Sequence, residues 1–215
     1  MNKTAILIGA TGLVGSEVLD LLLKDEHYDT VKIFHRKSTG KHHSKLDEYV
    51  IDFNKIDEWK HLITGNELYS ALGTTIKKAG SEQQQYTVDY TYQYEEAKAA
   101  AENGVKKYSL VSSAGANHRS RVFYSRLKGE LDDDVKDLPF EVITIMRPSI
   151  LAGERNEKRL GESVGLFLMS FLTKLPGLQK YRPISGKTVA QGMIHSLQKC
   201  PPGYHIFEFD EIFHL

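Results

Sequence analysis

The sequence predicts an α/β fold: a doubly wound parallel sheet of Rossmann type with a small C-terminal annex on the substrate side. Three observations predict it. Short β-type runs alternate with helical stretches up to about residue 150, a glycine-rich turn joins the first strand to the first helix, and the Pro and Gly spacing changes after Arg147.

Ala5-Ile6-Leu7-Ile8 is a continuous apolar run, the pattern of a strand covered on both faces. Leu13 to Leu23 carries apolar residues at 14, 18, 19, 22 and 23, a helical stripe. Strands are expected at Val31–Phe34, Tyr49–Phe53 and, more weakly, Leu68–Leu72. The Ala- and Glu-rich stretch Gln85–Asn103 reads as a helix ended by Gly104. A strand at Tyr108–Ser112, a helix across Arg121–Val135 and a strand at Glu141–Met146 follow. Strands separated by helices imply parallel pairing through right-handed crossovers. Beyond Arg147, Pro or Gly recurs at 148, 153, 161, 165, 176, 177, 183 and 186, between helix candidates near 162–174 and 188–199. His205–Phe209 alternates as a last strand would. The expectation is one domain, 1–215, with a nucleotide-binding core to about 150 and an annex with the last strand over 151–215.

The 28 Lys and Arg balance the 28 Asp and Glu, so no basic excess points to nucleic acid. One cysteine, Cys200, excludes an intrachain disulfide. The most apolar stretch, Val164–Leu172, is about half of a bilayer crossing, and the N-terminus lacks signal-peptide logic. A cytoplasmic protein without a membrane partner is expected. The nine His include no H-x-x-x-H, so no metal site is assigned.

Gly9-Ala10-Thr11-Gly12-Leu13-Val14-Gly15 lies at the first strand-to-helix turn. There Gly9 permits the turn, Gly12 lets the backbone approach a pyrophosphate and Gly15 allows close helix packing. The helix N-terminus then offers free N–H groups to the anion. The second strand lacks the acid that would read a ribose 2′-hydroxyl and ends in His35-Arg36-Lys37. Arg36 and Lys37 suit a 2′-phosphate, so NADP(H) is expected over NAD(H).

Tyr-x-x-x-Lys places a phenol and an ammonium one helical turn apart. It occurs three times, as Tyr28/Lys32, Tyr94/Lys98 and Tyr124/Lys128. The first straddles a strand, and the second lies on a helix packed along the sheet. The third follows the strand ending Val111-Ser112-Ser113, where the carboxyl ends of a parallel sheet gather chemistry. Tyr124 is the candidate acid/base, Lys128 its partner and the holder of the nicotinamide ribose, and Ser113 the hydroxyl that orients a carbonyl oxygen. Glu154 and Arg155 form a charged loop. Leu166, Phe167, Met169, Phe171 and Leu172 fit either an apolar pocket for a small-molecule substrate or a homodimer contact.

Together these pieces resemble a short-chain dehydrogenase/reductase of the extended or atypical kind. More narrowly, Gly9-Ala10-Thr11-Gly12, Leu72-Gly73-Thr74-Thr75 with Lys78-Ala79-Gly80, Val88-Asp89, Ser112-Ser113-Ala114-Gly115-Ala116, Tyr124 with Lys128-Gly129-Glu130, and Arg147-Pro148 resemble the oxidoreductases of the HIV Tat-interacting-protein family. The resemblance spans residue 4 to about 195. It implies Thr11, Gly12, Leu13 and Val14 at the pyrophosphate, and Arg36 and Lys37 at the adenosine phosphate. It also implies Leu72 and Gly73 beside the adenosine half, Tyr124 and Lys128 in the active site, and Leu151 and Arg159 over the cofactor. Two functions follow as expectations: carbonyl/alcohol oxidoreduction, or non-catalytic sensing of the cofactor.

Overall fold

A computed structural model describes residues 3–152 and 182–215. The chain runs β1 (Lys3–Ile8), α1 (Gly15–Lys24), β2 (Tyr28–His35), β3 (Leu46–Val50), α2 (Ile56–Trp59), β4 (Glu67–Ser70), α3 (Ile76–Ala79), α4 (Glu82–Tyr86), α5 (Gln93–Glu102), β5 (Lys107–Val111) and α6 (Phe123–Lys136). It continues through β6 (Val142–Arg147), β7 (Leu151–Ala152), β8 (Ile184–Ser185), α7 (Gly186–Lys199) and β9 (Gly203–Glu208). Seven strands form one sheet in the order β3-β2-β1-β4-β5-β6-β9, with every neighbouring pair parallel. β7 and β8 make a separate two-stranded sheet, pairing Leu151 with Ile184 and Ala152 with Ser185. This is the Rossmann-type core with a small second sheet. The winding reverses between β1 and β4, and a ligand crevice opens at such a reversal, outside the carboxyl ends of the strands.

The unbroken apolar run of β1 is explained by its two covered faces. Ala5 and Leu7 point into one core with Val18, Leu19 and Leu22 of α1 and Val189 and Met193 of α7. Ile6 and Ile8 point into the other, with Ala97 and Ala100 of α5 and Leu131 and Val135 of α6. Period-2 side-chain alternation thus feeds two cores from one strand.

Three of the element boundaries that differ from those the sequence suggested are set by local capping. β3 spans Leu46–Val50 and stops before Phe53, because the Asp52 carboxylate accepts from Asn54 N at 3.0 Å and caps a 3₁₀ turn. That turn sends Phe53 inward, edge-on to Trp59. The helical stretch expected at Gln85–Asn103 begins at Glu82, since Ser81 Oγ accepts from Gln84 N at 3.1 Å. It also holds a π-helical turn over Thr87–Tyr92. α7 starts at Gly186, capped by Ser185 Oγ accepting from Thr188 N at 3.0 Å. The helix expected near 162–174, with Leu166, Phe167, Met169, Phe171 and Leu172, lies outside the described residues, as do Glu154 and Arg155. Among the described residues no helix is long and apolar enough to cross a membrane.

Two buried glutamates show opposite solutions to charge burial. Glu67, beneath the amino ends of the strands, accepts from Lys3 Nζ and Tyr69 Oη, both at 2.8 Å, and from Tyr28 Oη. Burial pushes its pKa up, but these donors outweigh burial and leave the carboxyl below its usual range. Glu96 on α5 is 1% exposed, and neither carboxyl oxygen has a hydrogen-bond partner among the described residues. Burial holds its carboxyl well above the ordinary range, so it is neutral at the low end of the pH scale and resists ionisation above it. A raised folded pKa makes stability fall as pH climbs from the unfolded carboxyl value toward the folded one. Replacing Glu96 by Met should therefore stabilise the protein by about 1–3 kcal/mol at neutral pH. In denaturant melts the gain should shrink as pH falls to 4 and below, where Glu96 is protonated in the folded chain and increasingly so in the unfolded one; a gain that does not vary with pH would contradict this account.

Candidate functional site

The glycine-rich turn is shaped by contacts that leave no room for side chains. Gly9 has φ +83°, and a Cβ there would lie 2.6 Å from the Ala71 carbonyl and Leu72 N. At Gly15 a Cβ would lie 2.0 Å from Gly9 O. Gly12 N donates to Gly9 O and Ser16 N to Gly12 O, both at 2.9 Å, which closes the turn. α1 begins at Gly15 after Val14, and no side chain caps its first turn. Ser16 N and Val18 N are taken up by backbone carbonyls, and the end of the helix presents the partial positive charge that favours an anion.

This turn is one wall of a cleft of about 1240 Å³ at the carboxyl ends of β1, β4 and β5. Thr11, Gly12, Leu13, Val14, Leu72, Gly73, Tyr124, Lys128 and Leu151 all line it, while Gly9 and Gly15 shape it from behind. Residues 113 positions apart in sequence, from Thr11 to Tyr124, meet because parallel crossovers return every strand end to one side. Tyr124 and Lys128 lie one turn apart on α6. Tyr124 is 40% exposed, whereas Lys128 is 3% exposed and makes no hydrogen bond or ion pair among the described residues. A largely buried lysine whose charge is felt by Asp89 and Asp132, in a cleft beside a glycine cradle that a Cβ would fill, fits a dinucleotide with ribose hydroxyls and a pyrophosphate.

Ser113 stands apart from this lining. It is half-buried, and its Oγ lies 3.4 Å from Ala114 O, while Ser112 lines the cleft and donates to Asp132 Oδ2 at 2.9 Å. Arg36 and Lys37 are exposed beyond the end of β2 and outside the cleft lining. Arg159 lies outside the described residues.

Several cleft residues are not among those to which the sequence assigns a site role. Asp89, in the π-helical turn, is buried and accepts from Thr74 N at 2.6 Å and from Gln85 Nε2 at 3.3 Å. It thereby ties the loop after β4 to the helix. Burial lifts its carboxyl above the usual range, against the pull of Lys128 and the Thr74 amide. Val88-Asp89 is legible as a family pattern, but only the π turn aims the carboxylate at Thr74. Ser185, Gly186 and Lys187 enter from the start of α7, far along the chain.

The fold and cleft define a nicotinamide-dinucleotide-binding protein of the Rossmann class. The chain belongs to the NAD(P)H-binding family, which matches residues 9–199. It is 35% identical over 204 residues to the mitochondrial protein FMP52 of Candida albicans, covering 91% of this chain and 88% of that protein. To the mitochondrial protein fmp52 of Aspergillus clavatus it is 37% identical over 178 residues, with 79% and 75% covered. In fold it is similar to the UDP-N-acetylglucosamine 4-epimerase of Methanobrevibacter ruminantium in complex with UDP-N-acetylmuramic acid (TM-score 0.73, 15% identity, 99% of this chain and 80% of that one). It is likewise similar to Bordetella bronchiseptica WbmH in complex with NAD⁺ (TM-score 0.73, 16% identity, 97% and 76%). The fold is that of the extended oxidoreductases and epimerases of the short-chain dehydrogenase type.

Two expectations are corrected. The NADP(H) preference read from His35-Arg36-Lys37 is overturned by solved neighbours that carry NAD. The physical reason lies in the neighbouring strand. His35 is buried, and burial lowers its pKa despite Glu48, so it adds no reliable positive charge. Glu48 of β3 accepts from Ser38 Oγ, Thr39 Oγ1 and Thr39 N, which hold its carboxyl down at about 2. His35, the first residue of the run, therefore sits against an ionised carboxylate. The cytoplasmic placement is overturned by fungal relatives that are mitochondrial proteins.

The Gly15 contact is directly testable. Gly15→Ala should weaken NADH binding by tenfold or more, on the order of 1.4 kcal/mol, measured by fluorescence titration. An unchanged affinity would mean that α1 does not need to approach β1 this closely.

Proposed function

We propose that this protein is an NAD(H)-dependent oxidoreductase that interconverts a small carbonyl compound and its alcohol. The observation that carries the reading is that Tyr124 and Lys128, on α6, line the same cleft as the phosphate-binding turn. Bound there, the dinucleotide supplies or accepts the hydride. In the reducing direction Tyr124 Oη gives its proton to the carbonyl oxygen as the carbonyl carbon gains a C–H bond, and the phenolate recovers a proton from solvent. Lys128 holds the phenolate by charge and the nicotinamide ribose by hydrogen bonds. Ser113 orients the carbonyl oxygen once substrate draws its hydroxyl from Ala114 O. Thr11, Gly12, Leu13 and Val14 take the pyrophosphate, Leu72 and Gly73 flank the adenosine half, and Leu151 covers the cofactor. Arg36 lies beyond β2, where its guanidinium plane can stack on the adenine.

The finer resemblance to the Tat-interacting-protein oxidoreductases is part of this reading. It rests on Leu72-Gly73-Thr74-Thr75 and Lys78, which line the cleft, and on Tyr124 with Lys128.

NADH oxidation should be screened over aldehydes, ketones and quinones. Tyr124→Phe should lower turnover about 10²- to 10⁴-fold and leave NADH affinity within about twofold. Turnover that survives the substitution removes Tyr124 from the chemistry. Tight binding with no turnover on any substrate favours the cofactor-sensing function instead.

A further inference from the structure

We infer that Asp132 is a positioning residue of this site, a single buried carboxylate that ties the strand end bearing Ser112 and Ser113 to the helix bearing Tyr124 and Lys128. The inference rests on the reading of the cleft as a cofactor site.

Tyr124, Lys128 and Asp132 follow one another at intervals of four along α6, so they share one face of the helix. Asp132 is completely buried. Its Oδ2 accepts from Ser112 Oγ at 2.9 Å and from Arg147 Nε at 2.8 Å. Arg147 Nη1 continues to Glu208 Oε1 at 2.7 Å, and Tyr204 Oη donates to the Asp132 backbone carbonyl at 3.2 Å. One carboxylate thus joins α6 to the carboxyl ends of β5 and β6 and, through Arg147, to β9, one helical turn beyond Lys128.

Stability alone is a poor reason for this arrangement. Both donors go to Oδ2, while Oδ1 is buried without a hydrogen-bond partner among the described residues. Burial is the dominant influence on the carboxyl and raises it to about 6, against Ser112, Arg147 and Lys128. An acid with a raised folded pKa contributes less stability as pH climbs from about 4 through 6. The ionised form that binds Arg147 is therefore kept at the expense of global stability, as expected where geometry is the requirement.

The charged and titratable groups around Asp132 are Lys128 on α6, Arg147 on β6, Tyr108 on β5, and Tyr204 and Glu208 on β9. Burial pushes both tyrosine hydroxyls far up, so they stay neutral in the range where Asp132 titrates. Protonation removes the negative charge that attracts Arg147, so the tie weakens as pH falls through about 6.

The test is NADH titration of the full chain from pH 5 to 8, with hydrogen exchange over residues 112–115 and thermal melts, for wild type, Asp132→Asn and Arg147→Lys. Wild type should bind NADH progressively more weakly as pH falls through about 6. Asp132→Asn should lack that step and bind about tenfold more weakly at pH 7. Exchange at residues 112–115 should be faster, with the melting midpoint held within about 5 °C. Arg147→Lys keeps the charge but loses the forked donor, and should show the same changes in smaller measure. Wild-type affinity and an unchanged pH step in Asp132→Asn overturn the inference. So does a lower midpoint with unaltered NADH binding, which describes a purely structural pair. If Asp132→Asn does not fold, wild-type behaviour of Arg147→Lys overturns it. Failure of wild type to bind NADH at any pH refutes instead the reading of the cleft on which the inference rests.

Discussion

Helix α1 starts so close to the end of β1 that Gly15 cannot carry a side chain, and the rest of the site is arranged around that approach. The 2.0 Å that would separate a Gly15 Cβ from Gly9 O leaves no alternative residue without moving the helix. Because α1 is held there, its positive N-terminal end lies at the crevice where the sheet reverses. A second close approach, in which a Gly9 Cβ would lie 2.6 Å from Ala71 and Leu72, brings the loop after β4 up as the opposite wall.

On that wall and on α6, buried polar groups are used for placement. Asp89 draws the Thr74 loop onto the π-helical turn, and Asp132 draws Ser112 and Arg147 onto α6. Lys128 lies between the influence of both carboxylates, which each feel its charge. Such groups are expensive to bury and are tolerated where geometry matters more than stability. Glu67 shows the contrasting case, a buried carboxylate with every donor it needs, at the end of the sheet away from the cleft.

The loop after β2 shows why a local charge pattern misleads. His35-Arg36-Lys37 reads as a cationic run, but strand pairing places Glu48 beside it, and burial keeps His35 from contributing. The charge that a ligand meets is a sum over neighbouring strands, and sequence adjacency samples only one of them.

Much of the fold was legible in the residues because its causes are local. The apolar runs of β1, β5 and β6, the helical stripe of α1 and the glycine spacing at Gly9, Gly12 and Gly15 each follow from one segment's own periodicity or turn chemistry. Tyr124 and Lys128 were likewise readable, since four-residue spacing on a helix fixes their shared face whatever surrounds them. What tertiary structure alone decided was which distant groups meet that face. Asp89 aims at Thr74 only through a π-helical turn, Glu48 reaches the β2 loop only through strand register, and Asp132 joins three strand ends only once the sheet has formed. Sequence determines the periodicity of each element, whereas burial, register and the pairing of charges are properties of the assembled layers.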